Sequence, residues 1–280
     1  LGIFVLRVSF FRVSFLLSLF ILGCNHAIAG LVINDLDRNY LFDFNTFRGV
    51  GVTQDPSSTQ IDSDVWRFTG LSDGTGEFGG SYLTGDWARG AALSAVSTGG
   101  IYAFNHGSME EPDWSLGFQP TANDFNPGAL TMRVINGTQS VVDRISFGFD
   151  LLIRNNATRS SVISLQYGLD DLVYRESDHG DWFTDEAPNE NVGWEEYVHQ
   201  ESLLATMLSP GDSIYFRWLF RDGVGQGSRD ELSIDNVIVN FGASSAVVPE
   251  PHFCCWLLFM LAIPFRYRAG YLKVSTSSTS

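Results

Sequence analysis

Four stretches of the chain alternate strictly between apolar and polar positions. In VDRISFGFDLLIR (142–154), Ile145, Phe147, Phe149, Leu151 and Ile153 share one parity. In SIYFRWLF (213–220), Ile214, Phe216, Trp218 and Phe220 do the same. ALTMRVI (129–135) brings together Leu130, Met132 and Val134, and SVISLQY (161–167) brings together Ile163, Leu165 and Tyr167. Side chains leave a strand on alternate faces, so a period of two predicts strands with one face buried and the other wet or covered. Turn pairs separate the runs: Asn136-Gly137, Asn155-Asn156, Pro210-Gly211 and Asp222-Gly223. Strands at such spacings predict an all-β fold, an antiparallel, jelly-roll-like β-sandwich with Phe147, Phe149, Phe216 and Trp218 in its core. Only residues 201–208 read as helical.

The run ELSIDNVIVNF (231–241) changes parity. Leu232 and Ile234 set one phase; Val237, Val239 and Phe241 set the other. A slip of one residue at Asp235-Asn236 predicts a bulge, or else a strand buried on both faces. A carboxylate buried there must be hydrogen-bonded, paired with arginine or bound to a metal.

Composition divides the chain into three parts. The first 29 and last 34 residues differ from the middle, so the expected domains are 1–29, 30–246 and 247–280. The middle carries 12 arginines, no lysine and 31 acidic residues. A surface this acidic repels phosphate backbones, which argues against nucleic acid as a partner. It suits calcium, a neutral polysaccharide or solubility in salt. Cys24, Cys254 and Cys255 all lie in the apolar ends, so the middle has no disulfide, thiolate metal site or cysteine nucleophile.

At the N-terminal end, Arg7 and Arg12 precede the apolar run VSFLLSLFILG, and Ala27-Ile28-Ala29 follows as a small-x-small cleavage pattern. This is the order of a secretory signal peptide, with Ala27 and Ala29 flanking the cut. A loose lipobox ending at Cys24 is the competing reading. At the other end Val248-Pro249-Glu250-Pro251 precedes an apolar run, 253–265, and then Arg266 and Arg268. The prolines keep the first element extended, the run predicts a single transmembrane helix, and the arginines hold the cytoplasmic side. At 13 residues the run spans about 20 Å as a helix, short of the roughly 30 Å hydrocarbon core. The trio resembles the PEP-CTERM sorting signal. That resemblance implies an exosortase-type membrane protease as partner, a transient stay in the membrane, and final placement in the cell envelope or outside the cell.

The middle carries a second resemblance. GDWARG (85–90), TGGIYAFN (98–105), LGFQPTANDFNPGALTMRVIN (116–136), ISFGFDLLIRNN (145–156), LSPGDSIYFRW (208–218) and GSRDELSIDNVIV (227–239) are together similar to a lectin- or laminin-G-like module of exported bacterial proteins. It implies a fold and an extracellular setting, not a reaction.

No G-x-S-x-G, H-E-x-x-H or P-loop is present. His106, His179 and His199 show no metal-ligand spacing. An acidic stretch, 176–201, carries Trp182 and Trp194, whose rings are candidates for stacking on sugar, and carboxylates that glycoside chemistry would need. Asp230 and Asp235 are candidate calcium ligands, with Asp222 and Asn236 nearby in sequence and Asp170-Asp171 as a further acidic turn. Three readings follow. The first is a non-catalytic surface or matrix protein associated with exopolysaccharide. The second is a carbohydrate-active enzyme on a jelly-roll scaffold, and the third an accessory domain of a secreted nuclease system.

Overall fold

The computed structural model of the chain describes residues 30–243. The cleavage residues Ala27 and Ala29, Cys24, and the sorting residues Val248, Pro249, Glu250, Pro251, Arg266 and Arg268 lie outside the described residues. Six short strands come first: β1 (Leu31–Ile33), β2 (Asn39–Phe42), β3 (Val52–Thr53), β4 (Ile61–Asp62), β5 (Trp66–Thr69) and β6 (Ala91–Ala92). The longer strands follow: β7 (Gly100–Asn105), β8 (Trp114–Gln119), β9 (Gly128–Asn136), β10 (Val142–Arg154) and β11 (Arg159–Gly168). The last four are β12 (Arg175–Phe183), β13 (Glu195–Leu208), β14 (Ser213–Gly225) and β15 (Glu231–Gly242).

Two sheets form the sandwich. The first runs β1-β9-β14-β11-β12, with β5 also on β9; the second runs β13-β10-β15-β8-β7-β6, with β2 also on β15. The long strands pair antiparallel, and parallel pairing is confined to β1–β9, β6–β7 and β3–β4.

The alternating residues meet between the sheets, as their period demands. Phe147 of β10 stacks flat on Phe216 of β14, with centroids 3.8 Å apart. Phe149 meets Trp218 edge-on at 5.2 Å, and Phe118 of β8 meets Phe220 at 4.8 Å. All six rings are buried. Such contacts add to the area term, which is the largest source of stability in a domain without disulfides.

The parity slip in β15 is a bulge. Gly148 of β10 pairs with Ile238, but Asp150 pairs with Asp235, so β15 carries one extra residue. Asn236 takes that place with φ 47°, a left-handed conformation that asparagine tolerates. The bulge restores the phase, so Leu232, Ile234, Val237, Val239 and Phe241 are all buried.

Residues 201–208 are not helical: they are the second half of β13. Glu201 and Leu203 stand opposite Phe147 and Ile145, and the pairing slips between Val142 and Arg144. That slip breaks the simple alternation by which a strand is read from sequence. The acidic stretch 176–201 is also largely strand, with β12 and β13 forming one edge of each sheet.

Candidate functional site

The outward faces of the two sheets differ in chemistry. On the first sheet, cross-strand partners form one rung over five strands: Arg67, Thr131, Arg217, Gln166 and Glu176. Arg217 Nε donates to Gln166 Oε1 at 2.7 Å, and Gln166 Nε2 donates to Glu176 Oε1 at 2.6 Å. The β11–β12 connection folds over the row. Asp171 accepts both ends of the Arg67 guanidinium at 2.6 and 2.7 Å, and the Tyr174 ring lies 3.6 Å from the Arg217 guanidinium. Burial works against the Arg67 charge, but the Asp171 bond and charge outweigh it and its pKa is raised.

On the second sheet the matching row is neutral. Ser202, Ser146, Asn240 and Asn39 form one rung over β13, β10, β15 and β2. The next rung is Gln200, Gly148, Ile238 and Leu41. Asn39, Ser146, Ser202, Asn240, Gln200 and Ile238 of these rungs line an open groove of about 450 Å³, together with Phe147 and Glu201. Between Gln200 and Ile238 stands Gly148, where a Cβ would lie 3.0 Å from both the His199 carbonyl and Ile238 Cγ2. Along the rung the side chains touch in pairs, Ser146 with Ser202 at 3.5 Å and Asn240 Nδ2 with Asn39 Oδ1 at 3.0 Å. Asn39, Gln200 and Ser202 are exposed. The row keeps free donors and acceptors, since each amide or hydroxyl has more valences than these contacts use.

Farther along the same face, before the bulge, Glu231, Ser233 and Asp235 point outward yet are buried. Asp235 is 1% exposed, and its Oδ2 lies 3.3 Å from His106 Nε2. His106 Nδ1 faces Asp113 Oδ2 at 3.6 Å. Burial opposes the imidazolium, but Asp235, Asp113 and Glu196 outweigh it and the His106 pKa is raised. Burial raises that of Asp235 as well, against the pull of His106. Among the described residues, His106, Asp113 and Asp235 are the one trio of His, Cys, Asp or Glu able to converge on a cation.

The other expected site residues are placed as follows. Trp182 is not available for stacking. It belongs to the core, with His179 stacked on it at 4.1 Å and the edges of Phe149 and His199 against it. Trp194 is half-buried and leans on Phe104 at 5.2 Å, covering that ring. Asp230 is fully buried and accepts the backbone N–H groups of Asn156 and Ala157 at 3.0 and 2.9 Å. It anchors a turn and does not join Asp235 in a calcium loop. Asp222 pairs with Arg159, Asp171 with Arg67, and Asp170 caps its own turn through Leu172 and Val173. Ser177 Oγ donates to Glu201 Oε2 at 2.7 Å, and Glu201 faces His199 Nε2 at 3.5 Å. The carboxylate stands between hydroxyl and imidazole, so the ring is not placed to activate the serine.

Sequence reading missed both the neutral rung and His106. The rung was visible only as the polar phase of alternating strands, and His106 and Asp235 are 129 positions apart.

No protein-family model matches the chain, and no curated protein matches it. Solved structures share part of its β architecture. One is a carbohydrate-binding module specific for non-crystalline cellulose, 11% identical, covering 69% of this chain and 93% of its own, with a TM-score of 0.36. A xylan-binding domain from Paenibacillus barcinonensis is 5% identical, covering 51% and 82%, at 0.31. A module from Caldicellulosiruptor saccharolyticus in complex with mannohexaose is 13% identical, covering 50% and 81%, at 0.30. At TM-scores of this size the superposition is partial, and the ligands of those proteins do not transfer to this chain. Among the described residues no helix is long and apolar enough to cross a membrane.

Proposed function

We propose that the sandwich is a non-catalytic binding module that holds a neutral polysaccharide along the outward face of its second sheet. One observation carries this reading: a four-strand row of serine and asparagine, open to solvent, in a chain of net charge −15. Amides and hydroxyls both donate and accept, as sugar hydroxyls do, so the row matches a polyhydroxylated surface. An anionic polymer is disfavoured by the charge of the chain. Ile238 and Leu41 beside the row offer apolar area to the carbon face of a sugar ring.

The terminal segments extend the proposal. The chain is exported, cut after Ala29, held briefly at the membrane by its apolar run, and released near Pro249-Glu250-Pro251 by an exosortase-type enzyme. It then works at the cell surface or in the matrix. The binding claim is tested by affinity electrophoresis of the purified chain against neutral and uronate-containing polysaccharides. Retardation by at least one neutral polymer and by no acidic one is expected. Mobility unchanged across the neutral panel would refute it. Sorting is tested by fractionation and intact mass of wild type and Glu250→Ala in a host with the sorting enzyme. Membrane-bound wild type keeping residues 252–280 would contradict the sorting claim.

A further inference from the structure

The β7–β8 hairpin has a narrow mouth. His106 N donates to the carbonyl of Asp113 at 3.0 Å, which brings the two side chains together beside the β15 bulge. Asp235 points into this mouth from the outward phase of β15. One oxygen faces His106, while Oδ1 is buried without a hydrogen-bond partner. A carboxylate 1% exposed and half unsatisfied is costly, and such groups call for a partner.

Distances indicate which partner fits. Charge-assisted N–H···O bonds run about 2.7–2.9 Å. The 3.3 Å between His106 Nε2 and Asp235 Oδ2 is long for one. Two ligands each about 2.0–2.1 Å from a tetrahedral ion stand about 3.3 Å apart. Behind the ring, Nδ1 faces Asp113 Oδ2 at 3.6 Å. That is beyond hydrogen-bond reach, so Asp113 acts on the ring by its charge, which favours a proton on Nδ1 and leaves Nε2 free for an ion. One ligand atom from each of the three residues lies within 4.8 Å of the others.

We infer that His106 Nε2 and Asp235 bind a divalent ion of the zinc class, with the charge of Asp113 beside Nδ1 favouring the tautomer that leaves Nε2 free. The donor set decides the class. Calcium prefers six to eight oxygens, whereas one imidazole nitrogen with carboxylate oxygen suits zinc and its neighbours. This replaces calcium as the expected ligand of Asp235. Asp113 is 46% exposed, so the mouth admits the waters that complete the coordination. The ion would tie the hairpin to the bulge, separately from the neutral rung.

The test uses the purified full chain stripped with chelator. One equivalent of zinc should raise its melting midpoint by several degrees, and cobalt(II) should give visible bands of a low-coordinate N/O site. His106→Gln should abolish both responses, each read against the variant's own metal-free midpoint. Asp113→Asn, at an exposed position, should still fold and bind zinc about tenfold or more weaker. Zinc binding unchanged in either variant would overturn the assignment, as would stabilisation by calcium but not by zinc. Failure of the stripped wild type to take up an equivalent of added zinc would also overturn it.

Discussion

Arg67, Thr131, Arg217, Gln166 and Glu176 make one straight row across the first sheet; Ser202, Ser146, Asn240 and Asn39 make one across the second. Geometry is the same and chemistry is not. Charged side chains packed on a sheet need partners, and the first row has them in Asp171, Tyr174 and its own neighbours. Those partners arrive on the β11–β12 connection, which closes the face. Neutral side chains lose little by staying wet, so the second row can remain open with bonding capacity in reserve. A chain with few cations places several of them where they hold structure and leaves its uncharged polar groups where a ligand can reach them.

Four predictions strain this contrast, in falling order of effect on stability. Both faces hang on the inter-sheet core, so Phe149→Ala should cost about 3–5 kcal/mol in urea unfolding. A near-neutral result would mean that β10 faces the other way. Asp171→Ala strips Arg67 of its bidentate partner and should cost about 1.5–3 kcal/mol while leaving polysaccharide retention unchanged.

The third concerns pH. Burial raises the carboxyl pKa values of Asp230, Glu231 and Asp235 above their ordinary 3.8, 4.5 and 3.8. The folded state then keeps protons that the unfolded state has released, so stability falls as pH rises through the folded values. His106 acts in the same direction: its contribution is present below its ordinary 6.5 and lost as pH passes its raised folded value. His199 works the other way, because burial lowers its pKa and its contribution is lost as pH falls below its ordinary 6.5; with three carboxyls and His106 against it, metal-free protein should still melt higher at pH 5 than at pH 8, as scanning calorimetry would show. An opposite slope would mean that these carboxyls are well solvated. Smallest of all, Asn240→Ala and Ser146→Ala should each shift stability by less than about 0.5 kcal/mol in urea unfolding. A larger loss would make the open row structural too.

What the sequence revealed and concealed follows from the distance over which each signal acts. Strict alternation is a property of neighbours, so Phe147, Phe149, Phe216 and Trp218 could be assigned to the core from local pattern. The bulge at Asp235-Asn236 was legible for the same reason, as a phase change within one strand. β13 was not, because the slip opposite Val142 breaks its alternation and, at a sheet edge, it pairs along one side only. Trp182 was misassigned because an edge-strand ring facing inward looks, in sequence, like a ring facing outward. The neutral row draws on positions 39 to 240, and Arg67 meets Asp171 across 104 residues. Neither leaves a spacing that a linear reading could detect, because the sheet order that aligns them is set by the whole topology.

The proposed division is that the open row binds and the closed row only supports. It is tested most directly by titrating a neutral polysaccharide identified in the electrophoretic screen into wild type, Gln200→Ala/Asn240→Ala and Asp171→Ala by calorimetry, with each variant's melting midpoint measured beside it. Loss of two ligand hydrogen bonds, about 1 kcal/mol each, should weaken the double variant roughly tenfold or more at an unchanged midpoint. Asp171→Ala should bind like wild type at a lowered midpoint. Wild-type affinity in the double variant, or weakened affinity in Asp171→Ala at temperatures where it is folded, would contradict the account.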